Sequence, residues 1–248
     1  MTSLYLADLH VHSLLSPCAA VEMTPRNILW HARERGIDIL AITDHNACDN
    51  VAAALVAARE TGVTVLPGME VETREEAHFI VLFEKMRQLM AWEKFVTSRR
   101  PARKNDENRF GAQFVVDSED NLVKVKDEML LCPLDVSAGE LVEKVHGLEG
   151  LVIASHIDRP AYSIIQQLGF IPEDLHLDAV EVSRRMRPQD AAKNMLLPAR
   201  MPVITSSDAH TIEDFMSGPC TRFYIEQPVL AEIRQALCGF NGRMVVVA

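Results

Sequence analysis

No stretch of this 248-residue chain stays apolar for the ~18 residues that a membrane-spanning helix needs. The N-terminal Met1-Thr2-Ser3 is not a basic region leading into an apolar run, so no signal peptide is expected. Cysteine is sparse. The five residues Cys18, Cys48, Cys132, Cys220 and Cys238 are scattered and odd in number, which points to a reducing cytoplasm rather than a disulfide framework. An excess of basic residues is missing too: the formal net charge is −10 and the pI is near 5.4. Wholesale duplex binding is therefore disfavoured, although bound divalent cations would make a site locally positive. There is no short-period repeat and no low-complexity tract. What is there is 48% hydrophobic residues, and a chain of this length buries about three quarters of its unfolded surface in one core. A single domain over residues 1–248 is expected.

Leu4-Tyr5-Leu6-Ala7 reads as a buried strand. A helix follows, capped by Thr24 with Pro25 at its first position and stopped by Gly36. Strands at Ile37–Thr43, Val63–Leu66 (leading through Pro67-Gly68 to Glu72) and Ala77–Phe83 alternate with an Ala-rich helix from Asn50 to Thr61. This rhythm implies a parallel sheet with helical crossovers. Residues 86–136 break it with a helix, the basic stretch Arg99–Lys104 and a β-hairpin, Gln113–Val116 with Leu122–Val125. The segment reads as a small insertion, and its basic cluster as a solvated loop, with guidance of an anionic substrate as the alternative. Beyond it, Ser137 and Glu140 form a capping box for a helix to Gly147. Strands at Leu151–Ser155, Leu177–Val182, Pro202–Thr205, Arg222–Ile225 and Arg243–Val247 then alternate with helices at Tyr162–Leu168, Asp190–Leu197 and Val229–Leu237.

The chemistry gathers at strand ends. In Asp8-Leu9-His10-Val11-His12-Ser13 the imidazoles stand at i and i+2, which on a strand point the same way. Later strands end, or in the case of His78 begin, on the same residue types: His45, Glu70, His78, His156, and Asp208 with His210. His31 and His146 lie within helices and His176 in a loop, so these three are read as solvent-facing or locally bonded. Any one strand-end histidine is better read as a local cap than as a ligand, but six at corresponding places are not. The C-terminal ends of parallel strands share one face, where sites are built. Neutral imidazole and carboxylate suit Zn²⁺, Mn²⁺ or Fe²⁺. One zinc takes four ligands, so the set implies at least two ions and a bridging carboxylate.

These motifs resemble the PHP family, the polymerase-and-histidinol-phosphatase superfamily of metal-dependent phosphoesterases. The matching pieces are Asp8–Ser13, Thr43-Asp44-His45-Asn46, Gly68-Met69-Glu70, His78, His156 and Ser207-Asp208-Ala209-His210, in family order. The resemblance implies an α/β fold, a distorted (β/α)7 barrel, with two or three bound divalent metals. By the same likeness His10, His12, Glu70 and Asp208 would hold one metal. Glu70, as the bridge, with His78 and His156 would hold a second, and His45 and His210 would face a third. Many members carry an Asp soon after the His-X-His pair. Here Pro17 falls at that place, so either the third metal is weakened or Cys18 serves as a soft ligand, the alternative for Cys18 being an ordinary small buried side chain.

The expected reaction is hydrolysis of a phosphate ester, of a small phosphorylated metabolite or nucleotide, by a metal-activated hydroxide. Metal binding brings the pKa of water down to about 7. His45 or His210 would protonate the leaving group and Arg159 would clamp the phosphate. Arg184 is a second candidate, better read as a surface ion pair. Asp8 and Asp44 are expected to hold imidazoles in the right tautomer. Two alternatives stand beside this. One is a nuclease acting on short nucleic-acid ends, favoured by the Arg99–Lys104 cluster. The other is a non-catalytic metal-binding regulatory module. No membrane partner is expected.

Overall fold

A computed structural model describes residues 1–246, so the Val247 end of the last expected strand lies outside the described residues. The elements run β1 (Ser3–Val11), α1 (Pro25–Glu34), β2 (Ile39–Ile42), α2 (Val51–Ala57), β3 (Thr64–Glu72), β4 (His78–Leu82) and α3 (Met86–Arg99). Next come α4 (Glu107–Phe110), β5 (Phe114–Val116), β6 (Leu122–Val125), α5 (Ala138–Gly147), β7 (Leu151–Ala154), α6 (Ile164–Leu168) and β8 (Ala179–Val182). The chain continues through α7 (Pro188–Asn194), β9 (Val203–Thr205), α8 (Ile212–Ser217), β10 (Thr221–Ile225), α9 (Leu230–Leu237) and β11 (Met244–Val246). Local chemistry sets the helix starts. Thr24 accepts a hydrogen bond from the Asn27 N–H ahead of Pro25, and Ser137 and Glu140 close the reciprocal capping box of α5.

Nine strands form one sheet in the order β11-β10-β1-β2-β3-β4-β7-β8-β9. Seven of them, β1 to β4 and β7 to β9, wrap into a nearly closed barrel. The chain after β9 returns to β1 through a parallel bridge between Val11 and Ala209, where the His12 N–H donates to the Ala209 carbonyl at 3.0 Å. This is the distorted barrel of the PHP type that the motifs imply.

The sheet is mixed, which corrects the expectation of a parallel one. β1–β2–β3 and β7–β8–β9 are parallel, but β4 runs antiparallel to both β3 and β7. The cause is connection length. β3 and β4 are joined by a tight turn, with the Thr73 N–H bonded to the Ala77 carbonyl and Glu76 at φ +58°. A parallel crossover needs roughly a dozen residues or more. β3 also continues unbroken through Pro67-Gly68, because Pro67 needs only its carbonyl there, which accepts from the Phe83 N–H. At Gly68 a Cβ would stand 2.9 Å from both Leu82 Cδ2 and Thr43 Cγ2, so only glycine lets these strands approach.

Alternation along the strands separates two apolar layers. Ala7, Leu9, Ile39, Ala41, Leu66, Ile80, Leu82 and Ile153 fill the barrel interior. Val65, Val71, Phe79, Val81 and Val152 face outward under α1, α2, α3 and α5. Helix α9 closes one end of the barrel. Its Leu230, Ile233, Ala236 and Leu237 join the interior layer, and Arg234 donates to the Gly150 carbonyl just before β7 begins. The opposite end, where β1, β2 and β7 to β9 finish and β4 starts, is left for polar side chains.

Residues 86–136 brace that polar end. The Asn46 amide donates to the Leu130 and Cys132 carbonyls, both at 2.9 Å, and the Asn50 amide bonds Phe114 and Val116. Arg100, from the basic cluster expected in a solvated loop, is turned inward. It bonds the Asn46 carbonyl and lies 3.8 Å from Glu93. Buried Lys126 reaches Asp49 at 2.6 Å and Glu93 at 3.9 Å. Burial alone would raise the Asp49 carboxyl, but the bonds and charges of Lys126 and Lys124 hold it below its ordinary value of 3.8. A depressed folded value means that this stability is present above about pH 4 and is lost as pH falls through it. Asp49→Asn should therefore cost about 2–3 kcal/mol at pH 7. Urea unfolding of both proteins should show that gap narrowing below about pH 4.

Candidate metal centre

All eight side chains singled out at strand ends meet at the open end of the barrel. Glu70, on the inward face of β3, is their centre and is 1% exposed. Its Oε1 lies 3.2 Å from His10 Nε2, 3.2 Å from His78 Nδ1 and 3.3 Å from His156 Nε2. Its Oε2 lies 3.4 Å from His12 Nε2 and 3.1 Å from His45 Nδ1. Asp208 Oδ1 stands 3.4 Å from both His10 Nε2 and His12 Nε2, which are 3.2 Å apart. The His210 ring stacks on His12 at 4.1 Å between centroids. Among the described residues three donor groups are compact enough for an ion: His10, His12 and Asp208; His45, Glu70 and His78; and His12, His45 and His210.

The donor set fits metal ions on geometry and on charge. Four donors at ~2.0–2.1 Å from one ion lie roughly 3.3–3.4 Å from each other. His10 Nε2, His12 Nε2 and Asp208 Oδ1 stand 3.2 to 3.4 Å apart, and Glu70 turns Oε1 to His10 at 3.2 Å and Oε2 to His12 at 3.4 Å. Burial would raise the Glu70 carboxyl, yet the charges of His10, His78 and His45 hold it well below the usual carboxylate range. Burial likewise opposes charge on His10, but Glu181, Glu70 and Asp208 push its pKa well above 6.5. Two buried carboxylates thus call for positive charge, which protonated imidazoles or cations supply.

A surrounding layer fixes the imidazoles. His10 Nδ1 donates to Glu181 Oε2 at 2.9 Å, leaving Nε2 as the free lone pair. His12 Nδ1 donates to Ser16 Oγ at 3.0 Å, and the Ser16 hydroxyl donates to Asp44 Oδ1 at 2.7 Å. His210 Nδ1 donates to the Asp208 carbonyl at 3.0 Å. Backbone strain gathers here as well. Asn46, His156 and Asp208 have φ of 49°, 29° and 48°, a region costly for non-glycine residues.

Several expectations change in detail. Convergence of His10 and His12 does not follow from simple strand alternation. The β1–β2 register slips between Asp8 and Val11, so Leu9 packs inside the barrel and Val11 outside it. Asp8 holds no imidazole. Its carboxylate accepts the Ser207 N–H at 3.0 Å and thereby anchors the segment carrying Asp208. Asp44 acts on His12 only through Ser16. Cys18 is exposed rather than buried, with its thiol in hydrogen-bond reach of His45. Arg159 stands at the rim, ion-paired to Asp208 Oδ2. Arg184 is engaged with Asp214 at 2.8 Å. His31 and His146 are locally bonded to Glu34 and Asp178, and His176 is exposed.

Two contributors escaped the reading of the sequence. Glu181 carried a signal, being a lone charge in the apolar strand Ala179-Val180-Glu181-Val182 on the inward parity of Ala179. It also accepts the His156 N–H at 3.2 Å. Tyr162, at φ +59°, stacks on His78 at 4.8 Å and accepts the His78 N–H through its carbonyl. Nothing in its sequence neighbourhood marks it.

Comparison with known proteins gives a consistent picture. A family model of the PHP domain matches residues 8–163. An uncharacterised protein of Methanocaldococcus jannaschii is 29% identical over 201 residues, covering 77% of this chain and 88% of that one. A 5′-3′ exoribonuclease of Haemophilus influenzae is 32% identical over 80 residues, 32% of this chain and 27% of that enzyme. Among solved structures, the lesion-specific endonuclease Q of Pyrococcus furiosus superposes with a TM-score of 0.72 at 20% identity. That match covers 98% of this chain but spans only 58% of the endonuclease.

Glu181→Gln keeps the side-chain volume but replaces the carboxylate that holds His10. Metal affinity should fall about 10- to 100-fold, read by competition with a chromogenic chelator, while the far-UV circular dichroism stays unchanged.

Proposed function

The chain belongs to the PHP domain family of metal-dependent hydrolases, and on that premise we propose that it hydrolyses a phosphate ester of a small phosphorylated metabolite or nucleotide. The observation that carries this reading is the Glu70 carboxylate, both of whose oxygens face imidazoles on either side. A carboxylate so placed would bridge neighbouring cations. In this reading His10, His12, Glu70 and Asp208 hold one ion, Glu70, His78 and His156 a second, and His45 with His210 face a third place, the ions being Mn²⁺, Zn²⁺ or Fe²⁺. Bound there, the ions supply Lewis acidity toward phosphate oxygens and make water acidic enough to attack at neutral pH.

The chain's own residues do the rest. Glu181 and the Ser16–Asp44 pair keep the Nε2 lone pairs of His10 and His12 turned into the site. His45 and His210 line its mouth, with side chains 11% and 26% exposed, and whichever of them is not engaged by an ion would protonate the departing ester oxygen. Arg159, 40% exposed at the rim, trades its contact with Asp208 for a substrate phosphate oxygen. The exposed Cys18 thiol beside His45 stands where Pro17 leaves no carboxylate, and in this reading it completes the third place.

A second reading, a nuclease acting on short nucleic-acid ends, draws on two of the relatives. One is a 5′-3′ exoribonuclease, and endonuclease Q has been seen with a 27-mer duplex carrying an abasic lesion. The net charge of −10 speaks against a long duplex track but not against a short end. With Mn²⁺ added, the protein should release p-nitrophenol from p-nitrophenyl phosphate. Excess chelator, His10→Ala or Asp208→Ala should each return the rate to background. Retention of turnover in the metal-depleted protein would sink the proposal. A rate on short oligonucleotides well above that on mononucleotides would favour the second reading.

A further inference from the structure

We propose that a pocket on the outside of the barrel, where β10 and β11 diverge from β9, is a second anion site that binds a phosphate monoester carrying an apolar body. The inference stands apart from any reaction at the metal cluster. The pocket has a volume of about 460 Å³ and collects four guanidinium groups, Arg184, Arg185, Arg187 and Arg222. No acidic residue lines it, in a chain whose net charge is −10. Arg184 is already committed to Asp214 at 2.8 Å. Among the described residues, no carboxylate lies within ion-pair distance of Arg185, Arg187 or Arg222. Like charges gathered round one concavity repel, and an anion between them relieves that repulsion. Guanidinium forks match phosphate oxygens two at a time.

The remaining wall decides what kind of anion fits. Met186, Val203 and Val245 give it an apolar side. The hydroxyls of Thr205 and Thr221 are tied to each other's strand, Thr221 Oγ1 accepting the Thr205 N–H at 2.9 Å and donating to the Thr205 carbonyl at 2.7 Å. They hold the pocket floor rigid rather than offering free groups. A cavity of a few hundred Å³ with an apolar wall and a few convergent charges is the usual form of a small-molecule site. A bare inorganic anion would leave that wall uncovered. β9 presents Val203 and Thr205 to the pocket and Ile204 to the barrel interior, and none of the eight strand-end side chains of the metal cluster lines it. It is a place separate from the imidazole cluster.

The test is a calorimetric titration of the metal-loaded protein with the phosphonate analogue of AMP, which has no ester bond to cleave. Adenosine and inorganic phosphate serve as the two partial probes. The expected result is that each partial probe binds at least tenfold more weakly than the analogue. The double variant Arg187→Glu/Arg222→Glu should weaken the analogue at least tenfold while its thermal midpoint stays that of the parent. Should the double variant fail to fold, Arg187→Gln alone should still weaken binding severalfold. Analogue binding unchanged in the variants would put the ligand at the metal cluster and overturn the proposal. Inorganic phosphate binding that is as tight as the analogue's and is lost in the double variant would overturn it too. The titration reads binding and not turnover, so a chain without hydrolytic activity leaves the outcome just as decisive.

Discussion

Five imidazoles converge on one carboxylate, and the open end of the barrel is arranged so that they do. An ionised Glu70, 1% exposed, is costly by several kcal/mol unless positive charge lies against it. His10, His12, His45, His78 and His156 stand within 3.1 to 3.4 Å of its two oxygens. No local segment brings these groups together. The end of β1 and the residue after it contribute two across a register slip, β4 contributes one because it runs backwards, and the loop after β7 contributes one from a residue in a left-handed backbone conformation. Remove the carboxylate and the imidazoles lose the acceptor that makes their crowding tolerable.

The polar end is affordable because the other end is apolar and shut. Helix α9 inserts Leu230, Ile233 and Leu237 into the interior layer, so packing there holds the strands while their far ends carry buried charge. The insertion at residues 86–136 contributes a second support. Asn46 and Asn50 tie it to the loops after β2, and Arg100 grips the carbonyl of the residue next to His45. A segment that interrupts the strand–helix rhythm thus steadies a loop that bears a ligand candidate.

Charge is distributed unevenly on this acidic chain. Carboxylates and imidazoles fill the barrel mouth, while guanidinium groups gather on the outer face near β9 and, in Arg159, at the rim. The two regions therefore present opposite chemistry, one rich in carboxylates and imidazoles and one lined by arginines. The barrel itself does not specify a substrate, since a fold fixes the scaffold and not the group it acts on. Tyr162 is held on His78 by ring and backbone together.

Much of the candidate site was legible from residues alone. His10, His12, His45, Glu70, His78, His156, Asp208 and His210 stand out as a set, because so many imidazoles and carboxylates at corresponding strand ends are poorly explained as separate local caps. Helix starts at Thr24 and Ser137 were legible because capping is a local hydrogen bond. The direction of β4 was not legible, because a five-residue turn and a crossover differ in backbone path and not in apolar pattern. Glu181 was marked only as a lone charge in an apolar strand, and its part and that of Ser16 depend on which neighbour each side chain meets. Asp8 shows the same limit: its motif marks it as important, but only the packed barrel decides that it holds the Ser207 backbone instead of a ring. Sequence determines which chemical groups are available and on which faces of their own elements they lie. Which of them touch is decided by strand order, register slips and turn geometry, since contacts between residues up to two hundred positions apart exist only once the sheet has curled.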